Sequence, residues 1–334
     1  MSVNLFDANF YRAANPELAG LNDAQAFSHF QNSGLDEGRA FSPVANLNFY
    51  RSSNPDLASV GLNTNRQLYD HLQNSGVAEG RRFSQFVDIN YYLGVNPDVS
   101  RALVGNREQA LAHLRGSGVN EGRSFSPFVD LGYYLSTNSD INQAFGGNRT
   151  AALEHLEIFG LEEGRQFSPA FDVNFYRNTY PDLTNAGLTT NRSLLEHWVS
   201  NGAEFDRRSG TPDPGNSLGT ALNLGSPASS ITGFNDSVGG SDISDYYSFT
   251  LNESRIAIAA ISGLSADLDL GLLNSNGNVL QSSSSDGPTA DSVTFFGLNP
   301  GTYFIQVNQG VPDASSNYRL TVSLLPTTLI GLPV

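Results

Sequence analysis

The sequence predicts a multidomain α + β protein: an all-α array of five three-helix units followed by an antiparallel, jelly-roll-like β-sandwich. Three observations predict it. Residues recur at a fixed interval of 42 through the first part of the chain, which is the mark of a stacked repeat. A Pro/Gly linker, Thr211-Pro212-Asp213-Pro214-Gly215, then ends the pattern. Beyond it, apolar and polar residues alternate with period two, as strands with one buried face require.

The interval is carried by His29, His71, His113, His155 and His197, which are all the histidines of the chain. Arg39, Arg81, Arg123, Arg165 and Arg207 keep it, as do Gly34, Gly76, Gly118, Gly160 and Gly202. The units run over about 4–43, 44–85, 86–127, 128–169 and 170–210. Each opens on Asp7, Asn46, Asp88, Asp130 or Asp172, residue types that cap a helix N-terminus. An aromatic pair follows, from Phe10-Tyr11 to Phe175-Tyr176. Asn15-Pro16, Asn54-Pro55 and Asn96-Pro97 read as an N-cap followed by Pro in the first turn of a second helix. In the third helix Ala152, Leu153, Leu156 and Phe159 form one apolar face, and Gly160 suits the left-handed position that closes it. A Glu-Gly-Arg turn comes next, as at Glu37-Gly38-Arg39 and Glu79-Gly80-Arg81. The first copy is three residues shorter and the fifth loses its aromatic-Ser anchor, as expected of terminal copies. A unit this small buries little alone, so it must stack on its neighbours.

One histidine per unit leaves a metal without a second imidazole, so His29 and its counterparts are expected at the border of the core, bonded to a loop carbonyl or to the Glu-Gly-Arg turn. The arginines Arg39, Arg81, Arg123 and Arg165 are expected to pair with Glu and tie one unit to the next. The aromatic pairs read as core. Tyrosines exposed on a concave face would instead suit sugars.

Composition narrows the function. Carboxylates number 33 against 18 basic residues, all of them Arg, for a net charge of −15. Nucleic acid demands a basic face, so it is excluded as a partner, whereas divalent cations are favoured. Without Cys there is no disulfide frame and no thiolate metal site. No apolar run approaches the roughly 20 residues of a membrane span. The chain enters its first repeat at Asn4-Leu5-Phe6-Asp7, so an exported form is expected to be addressed by another segment.

The run from aromatic-Tyr through Asn-Pro-Asp to Glu-Gly-Arg resembles tandem repeats of large secreted or surface proteins of cyanobacteria and proteobacteria, over residues 4–209. That resemblance implies a surface setting. After residue 210 there are ten acids against Arg255 and Arg319. Tyr247, Phe249 and Leu251 share one face, as do Leu268, Leu270 and Leu272, then Tyr303, Ile305 and Val307, then Tyr318, Leu320, Val322 and Leu324. Turns at Asn276-Gly277 and Asn299-Pro300-Gly301 separate such strands, as in a sandwich. Gly240-Ser241-Asp242-Ile243-Ser244-Asp245-Tyr246-Tyr247, Asp267-Leu268-Asp269-Leu270 and Gly301-Thr302-Tyr303 resemble the bacterial pre-peptidase C-terminal domain, over about 211–325. The resemblance implies calcium held by acids of the Asp-x-x-Asp-Tyr-Tyr segment and the linker. The matching residues here are Asp242 and Asp245, with Asp213 and Asn216 from the linker. Six to eight hard oxygens satisfy that ion. Asp267 and Asp269, alternating with leucines, read as the acidic outer face of a strand.

No catalytic residue is expected. Gly215-Asn216-Ser217-Leu218-Gly219 spells a nucleophile elbow, but it lies in a linker and no His follows it. The expected function is a non-catalytic, calcium-stabilised extracellular or cell-surface structural or adhesive protein, partnered by copies of itself in an oligomer or fibre. The alternatives are a cell-surface polysaccharide gripped by exposed repeat tyrosines, and an accessory targeting domain of a secreted hydrolase system. The apolar tail at 326–334 reads either as a C-terminal export address of the type I kind or as an edge strand.

Overall fold

A computed structural model describes residues 3–202, 210–227 and 230–327. Its contacts divide the chain into two compact units, Met1–Val129 with Asp140–Arg165, and Asp130–Ser139 with Gln166–Val334; the fourth repeat contributes to both. The helical repeats precede an antiparallel-rich β-domain, as the alternation of periods requires.

Each repeat begins with a seven-residue helix such as Ala8–Ala14 or Leu47–Ser53. The expected caps are in place: Asp7 Oδ1 accepts from the Asn9 and Phe10 amides at 3.0 Å, and Asn46 does the same in the next copy. A second element follows, shorter than the first except in the fourth repeat, where Ser139–Phe145 is also seven residues; Pro16 or Pro97 stands in its first turn in the first and third. Asn15, Asn54 and Asn96, however, do not cap it. Each is buried and turned inward, its Nδ2 donating to the carbonyl that ends the first helix and to one near the end of the repeat (Tyr11 and Ala40, Tyr50 and Arg82, Tyr92 and Ser124). The third helix runs to the histidine and widens into a π-turn, as at Phe30–Gly34 and Leu72–Gly76.

The Glu-Gly-Arg turn stands near the imidazole, His71 Nε2 lying 4.0 Å from Glu79 Oε1, yet neither it nor a carbonyl is the closest partner of the histidine. That partner is the second aromatic of the pair: the hydroxyls of Tyr11, Tyr50, Tyr92 and Tyr176 lie 2.7–3.0 Å from Nδ1 of His29, His71, His113 and His197. These tyrosines and Tyr134 are fully buried, as the core reading of the aromatic pairs expects, and the alternative of exposed sugar-binding tyrosines does not apply at these positions. Burial forces the change, because a buried phenol needs a partner and the imidazole is within reach. The glycine that follows serves this contact. Gly34, Gly76, Gly118 and Gly160 are not left-handed; that conformation belongs to Gly38, Gly80, Gly122 and Gly164 of the Glu-Gly-Arg turn, at φ 70–74°. A Cβ on Gly76 would stand 2.2 Å from the Tyr50 hydroxyl. The phenol occupies the space a side chain would need.

The arginines also act differently from expectation. Arg81 pairs with Glu79 and reaches Asp56 at 2.8 Å, and Arg123 and Arg165 repeat this with Asp98 and Asp140. All three partners lie in one unit, so the guanidinium fastens the turn to the second helix of its own repeat. Arg39 does so with Glu37 and Glu17. Water screens such exposed pairs, so their effect is on geometry. Units are joined by other groups. Asn65 Nδ2 donates to the Leu35 carbonyl at 2.8 Å, Arg107 Nη1 to Ala78 at 3.2 Å, and the Tyr69 ring meets Phe30 and Phe41 at 5.1 and 5.4 Å. The third helix of one repeat thus lies on the turn of the last. Arg207 and the altered fifth turn fall outside the described residues.

The second unit carries the β-domain. Its strands are β1 (Leu222–Asn223), β2 (Ser230–Val238), β3 (Ser244–Leu251), β4 (Arg255–Ser262), β5 (Leu268–Asn274), β6 (Val279–Ser283), β7 (Asp291–Leu298), β8 (Gly301–Gln309) and β9 (Ser316–Pro326). They form a sheet of order β1-β3-β8-β5-β6 and another of order β2-β9-β4-β7. Pairing is antiparallel except between β1 and β3. Tyr247, Phe249, Leu268, Leu270, Leu272, Ile305, Val307, Tyr318, Leu320, Val322 and Leu324 are buried, as their alternation predicts, while Tyr303 is half-exposed. The tail beyond residue 327 lies outside the described residues.

The tyrosine–glycine contact yields a prediction. Gly76→Ala is expected to lower stability by about 2 kcal/mol, the usual cost of overpacking, and Tyr50→Phe by about 1 kcal/mol for the lost hydrogen bond. Combining them should cost less than the two together, because removing the hydroxyl frees the space for the methyl group. Denaturant melts of the full chain check this; additive losses would show that the two groups do not meet.

Candidate metal centre

The linker lies along the first strand that follows the acidic turn. Asn216 Oδ1 accepts from the amides of Ile243 and Ser244 at 2.9 and 2.8 Å, and the Tyr246 amide donates to the Gly215 carbonyl at 3.2 Å. Gly215 is left-handed at φ 79°, and a Cβ there would meet Thr220 Oγ1 at 2.7 Å. Ser217 bonds Thr220 Oγ1 at 2.9 Å within a short turn, so the elbow-like motif is a structural bend. These bonds bring the linker's Asp213 to the end of the sandwich where β2 finishes and β3 starts.

There Asp213, Asp236 and Asp245 each place a carboxylate oxygen within 4.8 Å of the others. Asp245 is fully buried. Its Oδ2 accepts from the Tyr318 hydroxyl at 2.5 Å, and that hydroxyl also meets Tyr247 Oη at 2.6 Å. Its Oδ1 is buried without a hydrogen-bond partner, and so is Asp242 Oδ1. Burial, opposed by the Tyr318 bond and reinforced by Asp236, Asp242 and Asp213, pushes the Asp245 carboxyl up to about 9. Burial raises Asp236 to about 7, with Asp213 and Asp242 adding to the shift, and Asp242 is raised by burial and Asp213.

Of the residues that the sequence points to, the structure brings Asp213 and Asp245 together, with Asp242 close enough to act on both. Asn216 takes a different part: its amide oxygen receives two backbone donors, so it holds the turn that presents the acids. Asp236 is the member that sequence reasoning misses. Its signal is nonetheless present, since Phe234 and Val238 on the same face are buried and an acid interrupts that inward row.

Chemically, several carboxylates sharing a poorly hydrated space are stable only if protonated or bound to a cation. Calcium–oxygen bonds of about 2.4 Å let two ligands of one ion lie up to roughly 4.8 Å apart, whereas magnesium's shorter bonds demand a tighter cage. The donor set is all oxygen and fits the former. Calcium bound there would replace protons on Asp245 and Asp236 and clasp the linker to the strands.

Residues 243–309 match the family model of the bacterial pre-peptidase C-terminal domain. The matched segment contains Asp245 but neither Asp213 nor Asp236. Among solved structures, the pre-peptidase C-terminal domain of a Bacillus anthracis collagenase is 20% identical, with 30% of this chain and 91% of that one covered and a TM-score of 0.25. A periplasmic inhibitor of g-type lysozyme from Aeromonas hydrophila is 17% identical over 30% of this chain and 95% of its own, at a TM-score of 0.24. A family 36 carbohydrate-binding module in complex with calcium and xylotriose is 14% identical, covering 26% and 77%, at 0.20. No curated protein matches the chain.

The raised carboxyl pKa values determine a pH dependence. Both exceed the unfolded value of 3.8, so their contribution favours folding below that value and is lost as pH rises through about 7 and about 9. In chelator, the sandwich is expected to melt about 10 °C lower at pH 8.5 than at pH 5. Asp245→Asn should remove much of that loss. Melting curves across this range are the check, and a stability that climbs with pH in chelator would contradict the assignment.

Proposed function

We propose that this chain is a non-catalytic, calcium-stabilised structural or adhesive protein of the cell exterior, in which stacked helical repeats form a scaffold and the sandwich attaches it to further copies. One observation carries the reading. The polar residues that recur every 42 positions are engaged in holding the repeat together. The imidazoles of His29, His71, His113 and His197 meet tyrosine hydroxyls, and Arg39, Arg81, Arg123 and Arg165 join acids of their own turn and helix. Groups committed in this way are not free for acid–base or nucleophilic work.

The match of residues 243–309 to a pre-peptidase C-terminal domain, a non-catalytic accessory module, supports a binding or attachment role for the sandwich. The acidic centre supports calcium as the stabilising ion, with Asp213, Asp236, Asp242 and Asp245 as ligands. Extracellular calcium sites work at dissociation constants on the order of 10⁻⁴–10⁻³ M, which a site of this kind suits. Among the described residues no helix is long and apolar enough to cross a membrane. Burial of Tyr11, Tyr50, Tyr92, Tyr134 and Tyr176 weighs against a glycan grip by those rings.

Negative-stain microscopy and sedimentation of the full chain, in about 2 mM calcium and in chelator, test the reading. Fibres or discrete multimers in calcium that dissociate in chelator are expected. Asp242→Ala with Asp245→Ala should abolish both the assembly and the rise of Tm on adding calcium. Monodisperse monomers in both conditions would overturn self-assembly.

A further inference from the structure

One side of the sandwich is edged by uncharged stretches of strand. β7 ends the sheet β2-β9-β4-β7, and β6 ends the other sheet. Ser283 Oγ donates to Asp291 Oδ1 at 2.7 Å, so the last residue of β6 and the first of β7 stand side by side. Val279–Ser283 and residues 292–298 hold no charged residue and no proline. The opposite edges differ. β1 is two residues long, and β2 carries Asp236, whose carboxylate meets those of Asp213 and Asp245.

Natural edge strands are kept from pairing with other chains by charges, proline or bulges. β7 lacks the first two between residues 292 and 298, and its bulge falls late, between Phe295 and Leu298, where Gly297 is left-handed at φ 74°. Asp291 to Phe295 pair with β4 without interruption. Among the described residues, no backbone hydrogen bond leaves residues 292–298 except toward β4. A row of amides and carbonyls therefore faces outward. Ser292, Thr294 and Phe296 are exposed at alternate positions, Phe296 by 57%, while Val293 is buried.

We propose that the free edge of β7 binds the β7 edge of a second copy, antiparallel and about a two-fold axis, so that the two sheets become one. This rests on the reading of the sandwich as the module that attaches one copy to another. An antiparallel edge offers its amides and carbonyls in alternating pairs, so it is complementary to itself when turned about a two-fold. Charge selects the occupant. The chain carries a net charge of −15, and two copies repel across most of their surfaces. An uncharged edge lets them meet without opposing carboxylates. With the axis at Thr294, Phe296 lies over the second copy's Ser292, a cross-strand pair that covers the exposed ring. An axis at Val293 instead sets Phe296 against residue 290, which lies before the strand begins.

Sedimentation velocity of the full chain in about 2 mM calcium, with oxidative cross-linking, tests this. Thr294→Lys is expected to weaken self-association at least about tenfold, because it sets like charges face to face. The same substitution lowers the net negative charge, so repulsion between whole molecules alone predicts the opposite change. Its melt should match that of the unaltered chain, since Thr294 is exposed. The chain has no Cys, so Thr294→Cys supplies the sole thiol and should give a covalent dimer on mild oxidation. Asn63→Cys, exposed in the repeats, should not. Association that persists in Thr294→Lys, with no cross-link through Thr294→Cys, overturns the β7 edge and leaves attachment between copies standing by another surface. Removing residues 328–334 should change nothing; loss of association on that truncation assigns the edge to that segment and overturns the pairing of two β7 strands. A chain that stays monomeric throughout overturns both this pairing and the self-assembly on which it rests.

Discussion

The bond between a buried tyrosine hydroxyl and a histidine ring nitrogen governs the helical array. It sets the spacing of the first and third helices, and it dictates glycine five residues beyond the histidine, where the phenol takes the place of a Cβ. The rest of the unit follows from those two contacts. The inward-turned asparagine closes the first helix onto the end of the repeat, and the arginine fork then secures the turn that the glycine permits. Arginine suits this work because one planar group reaches two carboxylates in fixed directions. The exclusive use of arginine for basic positions fits that demand at the repeat turns.

Much of this order is legible in the chain. A fixed interval names a repeated unit, and period-two alternation places Tyr247, Phe249 and Leu251 on one inner face, because both patterns follow from backbone geometry alone. What the chain does not display is which of two nearby polar groups a side chain will choose. His71 is adjacent in space to Glu79 at 4.0 Å, yet its close bond goes to Tyr50, twenty-one positions earlier. Likewise the two glycines of each unit look interchangeable, although one relaxes the backbone and the other yields volume. Linear sequence separates these roles poorly, since each depends on a partner from another helix.

The acidic rim shows the same limit. Asp242 and Asp245 are neighbours in a recognisable segment, and Asp213 lies in the linker before the strands. Asp236 enters only because β2 pairs with β9, which sets it opposite Tyr318. An acid at an inward strand position is the signal common to Asp236 and Asp245, and alternation alone makes it visible. The meeting of carboxylates from two sheets leaves no such trace.

The parallel pairing of β1 with β3 has a mechanical meaning. Tension transmitted along the polypeptide into the sandwich reaches Leu222↔Tyr247 and Asn223↔Ser248 as shear, together with the two amides gripped by Asn216. Bonds loaded side by side must break at the same moment, whereas bonds opened like a zip yield one at a time. A pull on the linker would load this short seam all at once rather than bond by bond.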